Sequence, residues 1–86
     1  MTGPTVVREL TVLSRPGCHL CEEAVEALEP RCRAHGIRLH LVDVDGDQAL
    51  RERFGLRIPV VMAGNVEISA WPLDEARLAA WFARDA

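Results

Sequence analysis

The chain has 86 residues, of which 49% are hydrophobic and 27% charged, and its formal net charge is −3. This length predicts one domain spanning residues 1–86, and the negative charge argues against nucleic acid or an anionic membrane as partner, because both require a basic surface. No apolar run approaches the roughly 20 residues of a membrane span, and the first ten residues lack a signal-peptide pattern, so we expect a cytoplasmic protein.

The first part of the chain predicts a loose segment over residues 1–7, then a strand, a turn and a helix. Residues 9–13 form a short, β-prone apolar run, which Pro16 and Gly17 interrupt. A helix is predicted next, kinked rather than ended by Pro30 and continuing to a stop at Gly36. Its apolar face consists of Cys21, Ala24, Val25, Leu28 and Cys32.

The middle of the chain predicts an edge strand and a short helix. Residues 37–43 alternate between apolar and polar side chains, which is typical of a strand with one wet face. Asp45, Gly46 and Asp47 then provide a cap for a helix that runs to about Phe54. Its inward residues are expected to be Ala49, Leu50 and Phe54.

The last part of the chain predicts a hairpin and a final helix. Residues 58–63 are apolar on both faces, as in a central strand, and Gly64-Asn65 is a hairpin turn leading to an antiparallel strand over 66–69. Asp74 can cap the final helix. Its inner side is expected to be Leu73, Ala76, Leu78, Trp81 and Phe82.

The resulting order, β-α-β-α-β-β-α, predicts an α/β fold with a four-stranded mixed sheet flanked by helices. Both strand-helix-strand connections are expected to be right-handed crossovers between parallel strands, so that only the closing hairpin adds an antiparallel strand.

Two of the three cysteines, Cys18 and Cys21, lie in the stretch SRPGCHLCEEA. An odd number of cysteines and a reducing compartment argue against a structural disulfide framework. The alternatives are redox chemistry, metal binding and packing. A metal site requires four ligands, and Cys32, His35 and His40 lack the usual spacing to complete one. Packing explains Cys18 poorly, since a Pro-Gly turn does not need a buried thiol.

The redox interpretation follows from the position of Cys18 at the start of the predicted helix. Unpaired N–H groups and the helix dipole stabilise a thiolate there, which lowers its pKa toward neutrality. Cys21 lies one turn further on and can resolve a mixed disulfide formed at Cys18. His19 and Arg15 can add positive charge, although both are also compatible with solvent-facing side chains without a role.

A proline at the start of a predicted central strand also needs a reason, because it removes a hydrogen-bond donor from the ladder. A cis peptide between Ile58 and Pro59 would turn the chain and leave backbone groups free to pair with an extended substrate. A trans proline at the strand start is the alternative.

The stretches LTVLSRPGCHLCEEA and GLRIPVVMAGNVEI, in this order, resemble the small bacterial glutaredoxin-like proteins of the thioredoxin-fold superfamily. The resemblance covers residues 9–83. It implies that Cys18 is the nucleophile, that Cys21 is the resolving thiol, and that Ile58 and Pro59 form a cis-proline segment facing them. His19 and Leu20 stand where glutaredoxins usually have Pro-Tyr.

The resemblance also implies a glutathione site beside the dithiol. Arg15 or Arg57 matches its basic element, and Ile58 matches the backbone element before the cis-proline. Ser69-Ala70 stands where the family has Gly-Gly, and Asp74 is the following acidic residue, after Trp71 and Pro72. Glutathione is therefore expected as a co-substrate rather than a bound cofactor.

We expect a thiol-disulfide oxidoreductase that acts on protein or small-molecule disulfides and is reduced by glutathione or a thioredoxin-reductase-type donor. The alternative from another class is a non-catalytic binding module that docks partners around Trp71. Zinc or an iron-sulfur cluster held by the dithiol is a third.

Overall fold

The structure is a computed structural model that describes residues 8–84, so the expected loose segment at residues 1–7 lies outside the described part. The elements in chain order are β1 (Glu9–Ser14), α1 (His19–Ala34), β2 (Arg38–Asp43), a 3-10 turn (Val44–Gly46), α2 (Gln48–Phe54), β3 (Val60–Ala63), β4 (Val66–Ser69) and α3 (Glu75–Ala83). This order and the four-stranded mixed sheet confirm the predicted α/β fold class.

The sheet has the strand order β2-β1-β3-β4, so β2 is an edge strand, as predicted. β1 pairs with β2 in parallel, whereas β3 is antiparallel to both β1 and β4. The prediction of a second parallel crossover is therefore wrong. The helix α2 has seven residues and is about 10 Å long, whereas a strand of six residues spans about 20 Å. Such a helix does not return the chain to the far end of the sheet, and β3 starts at the end where β2 stops.

The helix α1 continues beyond Pro30 to Ala34, and Gly36 follows it with a φ of +67°. Pro30 lies on the exposed side of the helix, where water can hydrogen bond to the carbonyl group that its missing N–H leaves unpaired. The buried face of α1 consists of Cys21, Ala24, Leu28 and Cys32.

Two apolar clusters hold the helices against the sheet. One lies between the sheet and the helices α1 and α3, and the other lies under α2. The first includes Leu10, Val12, Leu28, Val61, Leu78, Trp81 and Phe82, and the second Leu13, Val44, Phe54 and Val60.

Several side chains differ from their predicted burial. Ala49 and Ala76 are exposed rather than inward, because the short α2 reaches the core only through Leu50 and Phe54 and because Ala76 lies in the first turn of α3. Cys32, which lies on the predicted apolar face of α1, is only 2% exposed. No helix within residues 8–84 is both long enough and apolar enough to cross a membrane.

Candidate active site

The turn between β1 and α1 presents the two cysteines at one end of the sheet. Gly17 has a φ of +80°, a conformation that side-chain-bearing residues rarely adopt, and the N–H of Cys18 donates to the carbonyl oxygen of Arg15 at 3.2 Å. The chain therefore reverses tightly between Ser14 and Cys18, and α1 begins directly after Cys18.

Cys18 is the N-cap residue of α1, and its sulfur accepts a hydrogen bond from the backbone N–H of Cys21 at 3.2 Å. The two sulfurs lie at disulfide-bonding distance, with their Cα atoms 5.2 Å apart. Cys21 is 3% exposed, whereas Cys18 is half-buried. Of the pair, Cys18 is thus the sulfur that an incoming molecule reaches first.

The two residues between the cysteines point away from the fold. The His19 side chain is 83% exposed, with Nε2 3.4 Å from a carboxylate oxygen of Glu23 one turn along the helix. Leu20 is 42% exposed. Both are accessible to a molecule that approaches Cys18, and neither is part of the core.

Arg15 is held by residues from two other parts of the chain. Its Nε and one terminal nitrogen donate to the two carboxylate oxygens of Asp45, both at 3.0 Å, and the other terminal nitrogen donates to the carbonyl oxygen of Gly55 at 3.1 Å. The hydrogen bond from Arg15 lowers the pKa of Asp45, and the same bond raises the pKa of Arg15. A Cβ atom at Gly55 would lie 2.5 Å from the carbonyl oxygen of Arg51. A side chain at this position would therefore shift the backbone whose carbonyl group accepts the hydrogen bond from Arg15.

The segment before β3 lies beside the end of β1. Leu13 pairs with Val60, so the antiparallel register brings Pro59 opposite Ser14, at the same end of the sheet as Cys18. The peptide bond between Ile58 and Pro59 is cis, and Pro59 is fully buried. Ile58 is half-buried against the cluster under α2. The strand starts at Val60, because Pro59 has no N–H to donate to the ladder.

Arg57, the second predicted basic element, forms an ion pair with Glu67 on β4. The side chains of Ser69 and Asp74 also have internal partners. The Ser69 hydroxyl donates to the carbonyl oxygen of Ala70 at 3.0 Å and accepts from the N–H of Asp74 at 2.7 Å. Asp74 accepts from the N–H of Arg77 at 3.0 Å and caps α3.

Trp71, the centre of the alternative docking surface, is half-buried, and its peptide bond to Pro72 is also cis. Among residues 8–84, no group of three or more His, Cys, Asp and Glu side chains is arranged to hold a metal ion.

An open groove of about 560 Å³ lies between α1 and β2, beside the cysteines; we call it the α1–β2 groove. Its apolar part is formed by Val25 and by Leu41, which is 58% exposed. Of the residues predicted for the site, it includes Cys18, Cys21 and Arg15. The described residues that line it are Ser14, Arg15, Pro16, Gly17, Cys18, Cys21, Glu22, Val25, Glu26, Leu41 and Asp43.

Sequence reasoning missed the contribution of Leu41, Asp45 and Gly55. Asp45 lies in the predicted helix cap and Gly55 directly after the predicted end of that helix, and no local pattern connects either residue to Arg15, which lies 30 and 40 residues away. Leu41 has only a weak signal of exposure in the sequence, because it is the last of three apolar residues, at 37, 39 and 41, that alternate with polar residues in the predicted edge strand.

The chain is similar to known proteins in both sequence and structure. Residues 9–83 match the model of the Glutaredoxin-like domain (DUF836). An uncharacterized protein of Mycobacterium tuberculosis is 37% identical over 81 residues, covering 88% of this chain and 84% of the relative. The solution structure of protein Ne2328 from Nitrosomonas europaea is 30% identical with a TM-score of 0.79, covering 94% of this chain and 98% of that chain.

The thioredoxin Deadhead of Drosophila melanogaster superposes with a TM-score of 0.59 at 21% identity, covering 93% of this chain and 82% of that chain, which is a likeness of fold alone. The predicted resemblance is confirmed: the chain belongs to the glutaredoxin-like domain family and has a thioredoxin-like fold.

Proposed function

We propose that this protein is a thiol-disulfide oxidoreductase in which Cys18 is the nucleophile and Cys21 the resolving thiol. The observation that carries the proposal is the asymmetry of the pair at the start of α1. The half-buried Cys18 sulfur accepts the Cys21 N–H at 3.2 Å, while Cys21 is 3% exposed. A thiolate at Cys18 is stabilised by that N–H and by the helix dipole, and it is the more accessible of the two.

The reaction begins from the reduced pair. The Cys18 thiolate attacks one sulfur of a substrate disulfide, a mixed disulfide forms, and the other substrate sulfur leaves as a thiolate that takes a proton from solvent. The Cys21 thiolate then attacks the Cys18 sulfur and releases the second substrate thiol. Two electrons pass to the substrate, and the protein is left with the Cys18–Cys21 disulfide.

An external thiol must then reduce this disulfide, and we propose glutathione or a thioredoxin-reductase-type dithiol donor for that step. Arg57, proposed to meet a glutathione carboxylate, is paired with Glu67. Glutathione therefore has to compete with Glu67 for this cation. We expect Glu67→Gln to increase the rate of reduction by glutathione a few-fold and to leave the rate with dithiothreitol, which carries no carboxylate, unchanged. An increase with both reductants would contradict a specific contact between Arg57 and glutathione.

The cysteine assignment is tested by trapping. Reduced wild type, Cys18→Ser, Cys21→Ser and the control variant Cys32→Ala are each mixed with a small aromatic disulfide and analysed by intact mass. We expect a lasting mixed disulfide in Cys21→Ser, no adduct in Cys18→Ser, and an internal disulfide in wild type and in Cys32→Ala, because Cys32 is buried.

Equal adducts in the two active-site variants would contradict the assigned roles. Failure of the wild-type dithiol to react would support the non-catalytic binding module instead. Activity with glutathione or a dithiol donor in a coupled assay then identifies the reductant.

A further inference from the structure

The α1–β2 groove joins the dithiol to a surface that has its own chemistry. Both cysteines line it at one end, and Val25 and Leu41 give it an apolar floor. Leu41 is 58% exposed, although Leu39, two residues earlier on the same face of β2, packs against the core cluster of α1 and α3. A molecule seated on Leu41 would therefore bury apolar surface and lie beside Cys18 at the same time.

The same groove is acidic. Glu22 and Glu26 project from α1 and Asp43 ends β2, and all three line the groove. Glu22 and Glu26 form no ion pair with any residue between 8 and 84. Arg15 is the only cation among the described lining residues, and Asp45 already neutralises it. The groove therefore presents an unbalanced negative charge to whatever approaches the dithiol.

We propose that the α1–β2 groove selects polypeptide disulfides in which an apolar residue and a lysine or arginine flank the reacting cysteine. The apolar side chain covers Leu41 and Val25, and the cation lies against Glu22, Glu26 and Asp43. This rests on the proposed redox function and names its substrate class. Glutathione disulfide has a net negative charge, so the groove disfavours it in this position.

The test uses the full-length protein, reduced and freed of reductant, in single turnovers with peptides whose cysteine is activated as a thiopyridyl disulfide. The Cys18 thiolate attacks the peptide sulfur, and thiopyridine leaves, takes a proton and is followed by absorbance. Cys21 then displaces the peptide thiol, so no further reductant is needed. The matched peptides differ only in the flanking residues, which are Lys and Leu, Glu and Leu, or Lys and Ser.

We expect the Lys-Leu peptide to react about tenfold faster than the Glu-Leu peptide at low ionic strength, because like charges in the groove repel one partner and attract the other. In about 1 M salt, where the Debye length is roughly 3 Å, the ratio should fall toward one. Leu41→Ser should slow the Lys-Leu peptide a few-fold and leave the Lys-Ser peptide unchanged.

The variant Glu22→Gln, Glu26→Gln, Asp43→Asn should bring the rate ratio to about one, since it removes the charges that distinguish the peptides. Its matched control is Glu29→Gln, Glu52→Gln, Glu75→Gln, which changes the net charge equally at exposed positions outside the groove and should keep the ratio. Equal rates for all peptides in wild type, or an equal loss of the ratio in both triple variants, would overturn the proposal. If wild type instead reacts with no peptide and with no neutral aromatic disulfide, the proposed function itself fails.

Discussion

The cap at Cys18 predicts different stabilities for serine and alanine at this position in the reduced protein. Serine and alanine both remove the proposed nucleophile. A serine Oγ can still accept the N–H of Cys21, which the Cys18 sulfur accepts at 3.2 Å in the structure, whereas alanine leaves that N–H without a partner. Cys18→Ser should therefore be the more stable of two equally inactive variants.

The size of the difference follows from the geometry of the helix start. Cys18 has the extended backbone of an N-cap, with φ −83° and ψ 105°, and Glu22 lies in the first turn. Replacing a serine cap by alanine costs about 1 kcal/mol, with a range of roughly 0.5–2 kcal/mol. In a domain of this size, 1 kcal/mol corresponds to a change in Tm of about 4–8 °C. We expect Cys18→Ala to melt that far below Cys18→Ser.

The assay is urea and thermal unfolding of both variants with an excess of reductant, which keeps the remaining cysteines reduced. Ala27→Ser is the matched control, because Ala27 is exposed in the middle of the same helix and serine is the poorer residue there by up to about 0.7 kcal/mol. The sign should thus reverse between the two positions. A Cys18→Ala variant as stable as Cys18→Ser would show that the sulfur does not cap α1.

Three further predictions concern the core, the buried thiol of Cys32 and the ion pair between Arg15 and Asp45. Leu28→Ala should reduce the free energy of unfolding by about 2–5 kcal/mol, whereas Leu41→Ala should change it by less than about 0.5 kcal/mol in the same urea titration. Burial raises the pKa of Cys32 above 9.0, so the folded state favours the neutral thiol more than the unfolded state does. Wild type should therefore lose stability relative to Cys32→Ala as the pH rises above 9.0. The hydrogen bond from Arg15 lowers the pKa of Asp45, so the ion pair stabilises the folded state above pH 3.8 and this stabilisation is lost as the carboxylate protonates. The free energies of unfolding of Asp45→Asn and wild type should therefore differ at neutral pH and converge well below pH 3.8.

Local signals in the sequence were sufficient to predict most elements and the position of the dithiol. The Pro-Gly turn before Cys18 fixes the start of α1, and the carboxylates of Asp47 and Asp74 each accept an N–H three residues ahead, at the starts of α2 and α3. Such caps depend only on residues within one turn, so the sequence alone is sufficient to predict them.

The features that sequence reasoning missed depend on distant residues. The direction of β3 follows from how far a seven-residue helix can carry the chain, and the strand pattern is the same in either direction. The contacts of Arg15 join positions 30 and 40 residues apart. The exposure of Leu41 depends on how much of β2 the helix α1 covers, and the alternation of the strand alone contains no information about that.

These long-range contacts give the two sides of the dithiol different chemistry. On the Pro59 side, the cation of Arg57 is already shared with Glu67, and an anionic ligand must displace a carboxylate to reach it. On the opposite side, Asp45 neutralises Arg15, so the carboxylates of the α1–β2 groove give the surface next to Cys18 a net negative charge. In the proposed reaction, an anionic thiol would therefore approach Cys18 against electrostatic repulsion, whereas a cationic polypeptide would be attracted by the carboxylates of the α1–β2 groove. On the proposed redox function, we therefore expect the choice of substrate to depend on carboxylates that lie outside the Cys-x-x-Cys motif.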